Sequence, residues 1–272
     1  MADQMVKDLL KWWQKSNPDF SKTAIVSSNN QTLLHLASEK GYFPIVKELI
    51  AMGADVNSQD SNSTSSLHLA SRGKHLEVMK LLLQNGANPN AVDAKKSTPL
   101  HDTCEIEYIE GTELLLQNGA NINKLDEEGY TPLYLALETG LVEICEVYFN
   151  HMPELVNQVL LKANQEENYP IHIACHHGEV DVVKLLIRKG ANPTIKNNKG
   201  DSPIGMAIRA ENCAVVKLLL QRFPKLIKET NAAGNKSDEI VKELLKHNLD
   251  INSQTSVRSN FGHFEYCITF SN

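Results

Sequence analysis

His101, Asp102 and Cys104 fall within four consecutive positions of the stretch STPLHDTCEIEY, residues 97 to 108. An imidazole, a carboxylate and a thiol at that spacing could ligate a metal ion, or form a thiol nucleophile with its base and orienting group. Either chemistry would make the chain an enzyme. A reactive constellation is needed only once in a protein, so the question is whether its parts recur.

They recur in register. The segments TLLHLASEKG, SSLHLASRGK, TPLHDTCEIE, TPLYLALETG, YPIHIACHHG and SPIGMAIRAE carry His35, His68, His101, Tyr134, His172 and Gly205 at one place, spaced 33, 33, 33, 38 and 33 residues apart. A second phrase repeats in step, MGADVN, NGANPN, NGANIN and KGANPT, with its glycines at 53, 86, 119 and 190. A histidine copied into successive structural units belongs to the scaffold. Cys104 and Cys175 each follow the box position by three residues, where a small side chain faces the neighbouring helix and a buried thiol serves as filler. His176 and His177 are the remaining metal or pH-sensing candidates. A tetrahedral site needs more ligands than their segment supplies, so neither a metal nor a cofactor is expected. No G-x-S-x-G, phosphate loop or H-E-x-x-H occurs, and no catalytic residue is assigned.

Each unit has a physical grammar. Thr98 offers an oxygen to cap a helix start, and Pro99 fits the first helical position, where its missing N–H has no partner to lose. A second helix follows, as in LEVMKLLLQNG, with Leu76, Met79, Leu82 and Leu83 at helical spacing and Gly86 suited to a left-handed stop. ANPNAVDAKKS then supplies Asn, Asp and Pro for a hairpin-like loop. One such unit cannot cover its own apolar face, so neighbours must stack.

The T-P-L-H box, the 33-residue period and the G-A-x-x-N ending together resemble the ankyrin repeat over about residues 29 to 252. The resemblance implies an all-α solenoid of stacked helix pairs with short β-hairpin-like loops. It further implies protein binding through a concave face and hairpin tips, with no intrinsic catalysis. The organisation expected is a capping helix and lead-in loop over residues 1–28, with Met5, Val6, Leu9, Leu10 and Trp13 on one face. A single repeat domain follows over 29–252, its last unit, 237–252, degenerate, and then a tail over 253–272. Lys74, Glu107 and Glu211 replace the family's glycine between helices, so those turns are expected to be strained or reshaped. Gly111 replaces an expected Ile or Val, marking the third unit as a soft point. The insertion of five residues around NHMPELVNQVLLKANQEEN is expected to be a variant end of a second helix, as at Asn17-Pro18 and Phe223-Pro224.

The formal charge of −6 provides no basic field for nucleic acid or anionic lipid. No apolar run approaches a membrane span, and the amino terminus lacks the form of a signal peptide. Five cysteines without paired spacing suggest reduced thiols, hence a cytoplasmic or nuclear protein, or the host cytosol if the chain is a bacterial effector. A monomer is expected.

Carrying over the family's variable contact positions assigns Arg72, Lys95, Glu105, Glu127, Glu128, Tyr130, Glu138, Glu166, His176 and His177 to partner binding. Trp12, off the capping helix's apolar stripe, joins them. The third to fifth units are acidic around Tyr130, which favours a basic or Arg-bearing partner segment. The expected function is a scaffold or adaptor. Two alternatives are a targeting subunit of a larger enzyme complex, such as a ubiquitin ligase, and an effector acting on host proteins. Asn57, Asn90 and Asn123 each follow a leucine by eight residues, which resembles the pattern of asparagine hydroxylation in such repeats and makes them modification candidates.

Overall fold

A computed structural model of the chain describes residues 28–161 and 167–228. The expected capping helix, the degenerate last unit and the tail lie outside the described residues, as do Trp12 and Glu166. Within them run α1 (Leu33–Glu39), α2 (Phe43–Ala51), α3 (Ser66–Arg72), α4 (Leu76–Gln84), α5 (Pro99–Glu105), α6 (Ile109–Gln117) and α7 (Pro132–Glu138). They continue with α8 (Val142–His151), a 3-10 turn (Pro153–Asn157), β1 (Leu160–Leu161), β2 (Glu167–Asn168), α9 (Pro170–His177), α10 (Val180–Arg188), α11 (Pro203–Arg209), α12 (Cys213–Arg222) and a second 3-10 turn (Pro224–Lys228). This is the all-α repeat architecture. None of the described helices is long and apolar enough to cross a membrane.

By its internal contacts the chain divides between Leu135 and Ala136 into two compact units. In the first, α1 packs on α3 and α3 on α5, while α2 packs on α4 and α4 on α6. In the second, α9 packs on α11, and α10 touches both α8 and α12. The buried side chains follow from the sequence period: Val182, Val183, Leu185 and Leu186 of α10 all point inward. Each fully buried leucine or valine contributes roughly 1.5–3 kcal/mol.

The turn joining the paired helices is the same in all six repeats among the described residues. Its closing bond runs from Tyr42, His75, Tyr108, Leu141, Glu179 and Asn212 N–H to the carbonyl five residues earlier, at 2.8–2.9 Å each. That turn requires one left-handed residue. Gly41, Gly140 and Gly178 supply it without penalty, whereas Lys74, Glu107 and Glu211 adopt φ of 55°, 53° and 58°. Strain of roughly 1–2 kcal/mol per left-handed residue is therefore present, but the turn is not reshaped, because the repeated bond and the packing of the two helices it joins hold it together.

At Gly111 the neighbouring side chains take up the space of the missing one. The glycine is buried, and a Cβ there would lie 2.6 Å from Tyr108 Cε1 and 3.1 Å from Thr103 Cγ2. The Tyr108 ring fills the space an isoleucine would have occupied. Thr112 Oγ1 beside it meets Thr103 Oγ1 at 2.9 Å and donates to the Tyr108 carbonyl at 2.9 Å. The insertion is likewise resolved into elements: α8 gives way to the 3-10 turn, and β1 pairs antiparallel with β2 through Leu160–Asn168 and Leu161–Glu167.

Candidate interaction surface

Both ring nitrogens of His101 are committed. Nδ1 accepts from Thr98 N–H at 3.1 Å and meets Thr98 Oγ1 at 2.9 Å, closing the cap of α5, while Nε2 faces the Tyr130 carbonyl of the next repeat at 3.1 Å. A carbonyl only accepts, so Nε2 carries the proton and the ring is the neutral tautomer. The same pair of bonds ties His35 to Thr64, His68 to Ser97 and His172 to Asp201. Burial holds all four imidazoles below their ordinary range, His68 and His172 down to about 4. Neither nitrogen of His101 remains to serve Cys104 as a base. Cys104, Cys145 and Cys175 are buried, and burial pushes the Cys175 thiol up, away from thiolate chemistry.

Asp102 takes part in a different arrangement. Arg72 at the end of α3 donates from Nε to Asp102 Oδ1 at 2.9 Å and from Nη2 to Asp93 Oδ2 at 2.7 Å. Two buried carboxylates thus share one guanidinium, and Asp102 Oδ2 is left buried with no hydrogen-bond partner. Burial pushes the Asp102 carboxyl up to about 7 against the opposing pull of Arg72. Arg72, expected at a contact position, is exposed along its side chain while Nε and Nη2 hold these two carboxylates.

Asp93 is also the keystone of its hairpin. Its Oδ1 accepts from Lys95 and Ser97 N–H at 2.9 and 3.0 Å, as Asp60 Oδ1 accepts from Asn62 and Thr64, and Asn197 Oδ1 from Lys199 and Asp201. Asp126 Oδ1 likewise accepts from Tyr130 N–H at 2.8 Å. These residues escaped notice in the sequence, although 60, 93 and 126 keep the 33-residue step eight positions before the box.

In the first unit the hairpins bring several contact candidates together. Glu127 N–H donates to the Lys95 carbonyl at 2.8 Å, so neighbouring tips are locked in register. Lys95, Glu105, Glu127 and Glu128 are exposed, and the half-buried Tyr130 ring stacks on Tyr134 with centroids 4.8 Å apart. In the second unit Glu138 closes α7, and His176 and His177 close α9. Glu138 Oε1 lies 3.6 Å from His177 Nε2, and the two imidazoles meet edge to face at 5.0 Å. Among the described residues no group of three His, Cys, Asp or Glu side chains is placed to hold a metal ion.

Two of the modification candidates, Asn57 and Asn90, clamp one repeat to the next. Asn57 Nδ2 donates to the Gly86 carbonyl at 2.9 Å and its Oδ1 accepts from Asn88 N–H at 2.7 Å. Asn90 repeats this on Gly119 and Asn121 at 3.1 and 2.6 Å. Asn123 is exposed, with its N–H on Asn121 Oδ1 at 2.9 Å. In the second unit Asn157 makes the same clamp on Gly190 and Asn192 at 3.0 and 2.9 Å. The missing G-A-x-x-N phrase hid Asn157, which the 3-10 turn delivers to the equivalent place.

A family model described as ankyrin repeats in three copies matches residues 2–93, 67–147 and 146–229. Among solved structures, the ankyrin-repeat domain of human ASB11 is 30% identical, with a TM-score of 0.62, over 78% of this chain and 97% of that one. The ankyrin-repeat domain of Bcl-3, described as a unique member of the IkappaB protein family, superposes with a TM-score of 0.69 at 22% identity, over 80% and 100% of the two chains. The NF-kappa-B p110 subunit of Drosophila melanogaster is 31% identical over 77 residues, which span 28% of this chain and 8% of that protein.

Proposed function

Because the chain belongs to the ankyrin-repeat family, matched from residue 2 to 229, we propose that it is a non-catalytic scaffold or adaptor whose hairpin tips and first-helix ends capture a partner protein bearing a basic segment. Repeats of this family are protein-interaction modules, generally without catalysis. The observation that carries the finer reading is the registered pair of tips in the first unit. The bond from Glu127 N–H to the Lys95 carbonyl fixes the backbone, so Glu127 and Glu128 are presented without ordering a loop on binding. Tyr130 beside them is a rigid, half-buried aromatic, the residue type that most often anchors such contacts. Arg72 reaches this face partly engaged, with Nε on Asp102 and Nη2 on Asp93 and its side chain still exposed. In the second unit Glu138, His176 and His177 form a separate, smaller candidate patch.

Affinity capture with the Glu127→Lys, Glu128→Lys double variant tests the reading. Loss of an Arg-bearing partner with unchanged circular dichroism supports it, and undiminished capture overturns the site. The cytoplasm or nucleus is the compartment this role assumes. A second reading, asparagine hydroxylation, is supported by the exposure of Asn57 and Asn123. Intact mass after treatment with such a hydroxylase, showing no added oxygen, removes it.

A further inference from the structure

The sequence contains two Asn–Gly pairs, Asn85–Gly86 and Asn118–Gly119, and both stand at the carboxyl end of a second helix in the first unit. Asn–Gly is the peptide bond most open to intramolecular attack, because glycine has no side chain to obstruct its own nitrogen. The glycine nitrogen adds to the asparagine Cγ, forming a C–N bond and losing its proton. The Cγ–Nδ2 bond breaks and ammonia leaves, giving a succinimide. Water then opens the ring at either carbonyl, to aspartate or isoaspartate, so the net change is one water consumed and one ammonia released.

The fold opposes that attack from two sides. Asn85 Nδ2 is turned back to the Leu81 carbonyl at 2.8 Å, away from Gly86, and Gly86 N–H donates to the Leu83 carbonyl at 3.1 Å. Bringing the glycine nitrogen onto Cγ requires rotation about the Asn85 Cα–C bond, which would swing the following residues out of place. Those residues are held by the preceding repeat: Asn57 Nδ2 grips the Gly86 carbonyl and Asn57 Oδ1 grips Asn88 N–H. The arrangement is duplicated at Asn118, whose Nδ2 bonds Leu114 at 2.8 Å, with Gly119 and Asn121 held by Asn90.

We propose that Asn85 and Asn118 are sites of spontaneous deamidation, and that Asn57 and Asn90 set the rate at each by clamping its Asn–Gly turn. Each clamp acts on one site only, one repeat downstream. Conversion places a negative charge at the helix end, where carbonyls already point, and isoaspartate adds a methylene inside the turn closed by Ala87 N–H to Leu82 O at 3.0 Å. The inter-repeat loop then loosens with age, beginning at whichever clamp opens first.

Peptide mapping of the full chain, incubated at mildly alkaline pH, gives the test. In Asn57→Ala, conversion at Asn85 rises about tenfold while Asn118 keeps its wild-type rate, and Asn90→Ala gives the reverse. Asn57→Asp keeps the acceptor and loses the donor, so it gives a smaller acceleration at Asn85 and remains usable if the alanine variant unfolds. Equal acceleration at both sites in a folded variant, unchanged rates, or no conversion at either site in any variant overturns the proposal.

Discussion

Replacing Asp102 with leucine, the residue at the same register in three other repeats (Leu36, Leu69 and Leu135), stabilises the protein at neutral pH by an amount that depends on pH. The carboxyl is raised from 3.8 to about 7 by burial, a shift of about three units, or roughly 4 kcal/mol set against the fold once the group is ionised in both states. A carboxyl whose folded pKa is raised holds its proton more tightly when folded. Stability from this group is therefore greatest below about pH 4 and is lost as pH rises toward 7. At about pH 5 roughly 1.5 kcal/mol has been lost, and at about pH 7.5 roughly 4. Leucine does not titrate, so its advantage over wild type is larger at about pH 7.5 than at about pH 5 by about 2.5 kcal/mol. The lost Arg72–Asp102 pair does not cancel this, because Arg72 keeps Asp93 at 2.7 Å as a one-to-one pair. Urea unfolding followed by far-ultraviolet circular dichroism at the two pH values measures the difference. An advantage no greater at the higher pH refutes the reasoning, since it would mean Asp102 is already ionised at the lower one.

The box histidines act in the opposite sense. Their folded pKa is depressed, so the stability they provide is complete above about 6.5 and is lost as pH falls toward 4. His68 and His172 each account for about 2 kcal/mol by about pH 5. Acidification from 7 to 5 is consequently steeper in its effect on Asp102→Leu than on wild type, and parallel urea curves would contradict this. Glu107→Gly and Lys74→Gly relieve left-handed Cβ strain at φ 53° and 55°, and each raises stability by about 1 kcal/mol in thermal melts. A lower melting temperature in either would show that the side chain contributes more than the turn costs.

How much was legible in the sequence depended on whether a residue acts within its own repeat or fills a vacancy left by another. The helix pairs, the caps at Thr32, Ser65 and Thr98, and the second-helix stops at Gly53, Gly86, Gly119 and Gly190 depend on local spacing and φ, and the sequence shows both. Gly111 read as a defect because helix propensity counts only the missing side chain, whereas Tyr108, three residues earlier, fills the space it leaves. The pairing of Arg72 was hidden because its partners, Asp93 and Asp102, lie 21 and 30 residues away. Asp102 was noticed for its neighbours in the chain, yet its environment is set by an arginine of the preceding repeat.

The histidine ties explain how such a surface can vary without weakening the stack. Each box histidine reaches 29 residues ahead, and what it bonds is a backbone carbonyl: Thr64, Ser97, Tyr130 or Asp201. Every residue type supplies that carbonyl, so the side chain at the accepting position is released from the task of holding repeats together. The asparagine clamps follow the same rule, gripping the carbonyl of Gly86 or Gly119 and the amide of the residue two further on. The accepting position of the histidine tie is also one of the contact positions implied by the family, four residues before the box. Tyr130 meets both demands at once, its carbonyl held by His101 and its ring left half-buried beside Glu127 and Glu128. A repeat built this way can exchange a threonine for a serine, a tyrosine or an aspartate at that position while the bond from the histidine stays the same, although Thr64, Ser97 and Asp201 are buried and Tyr130 alone of the four reaches the surface.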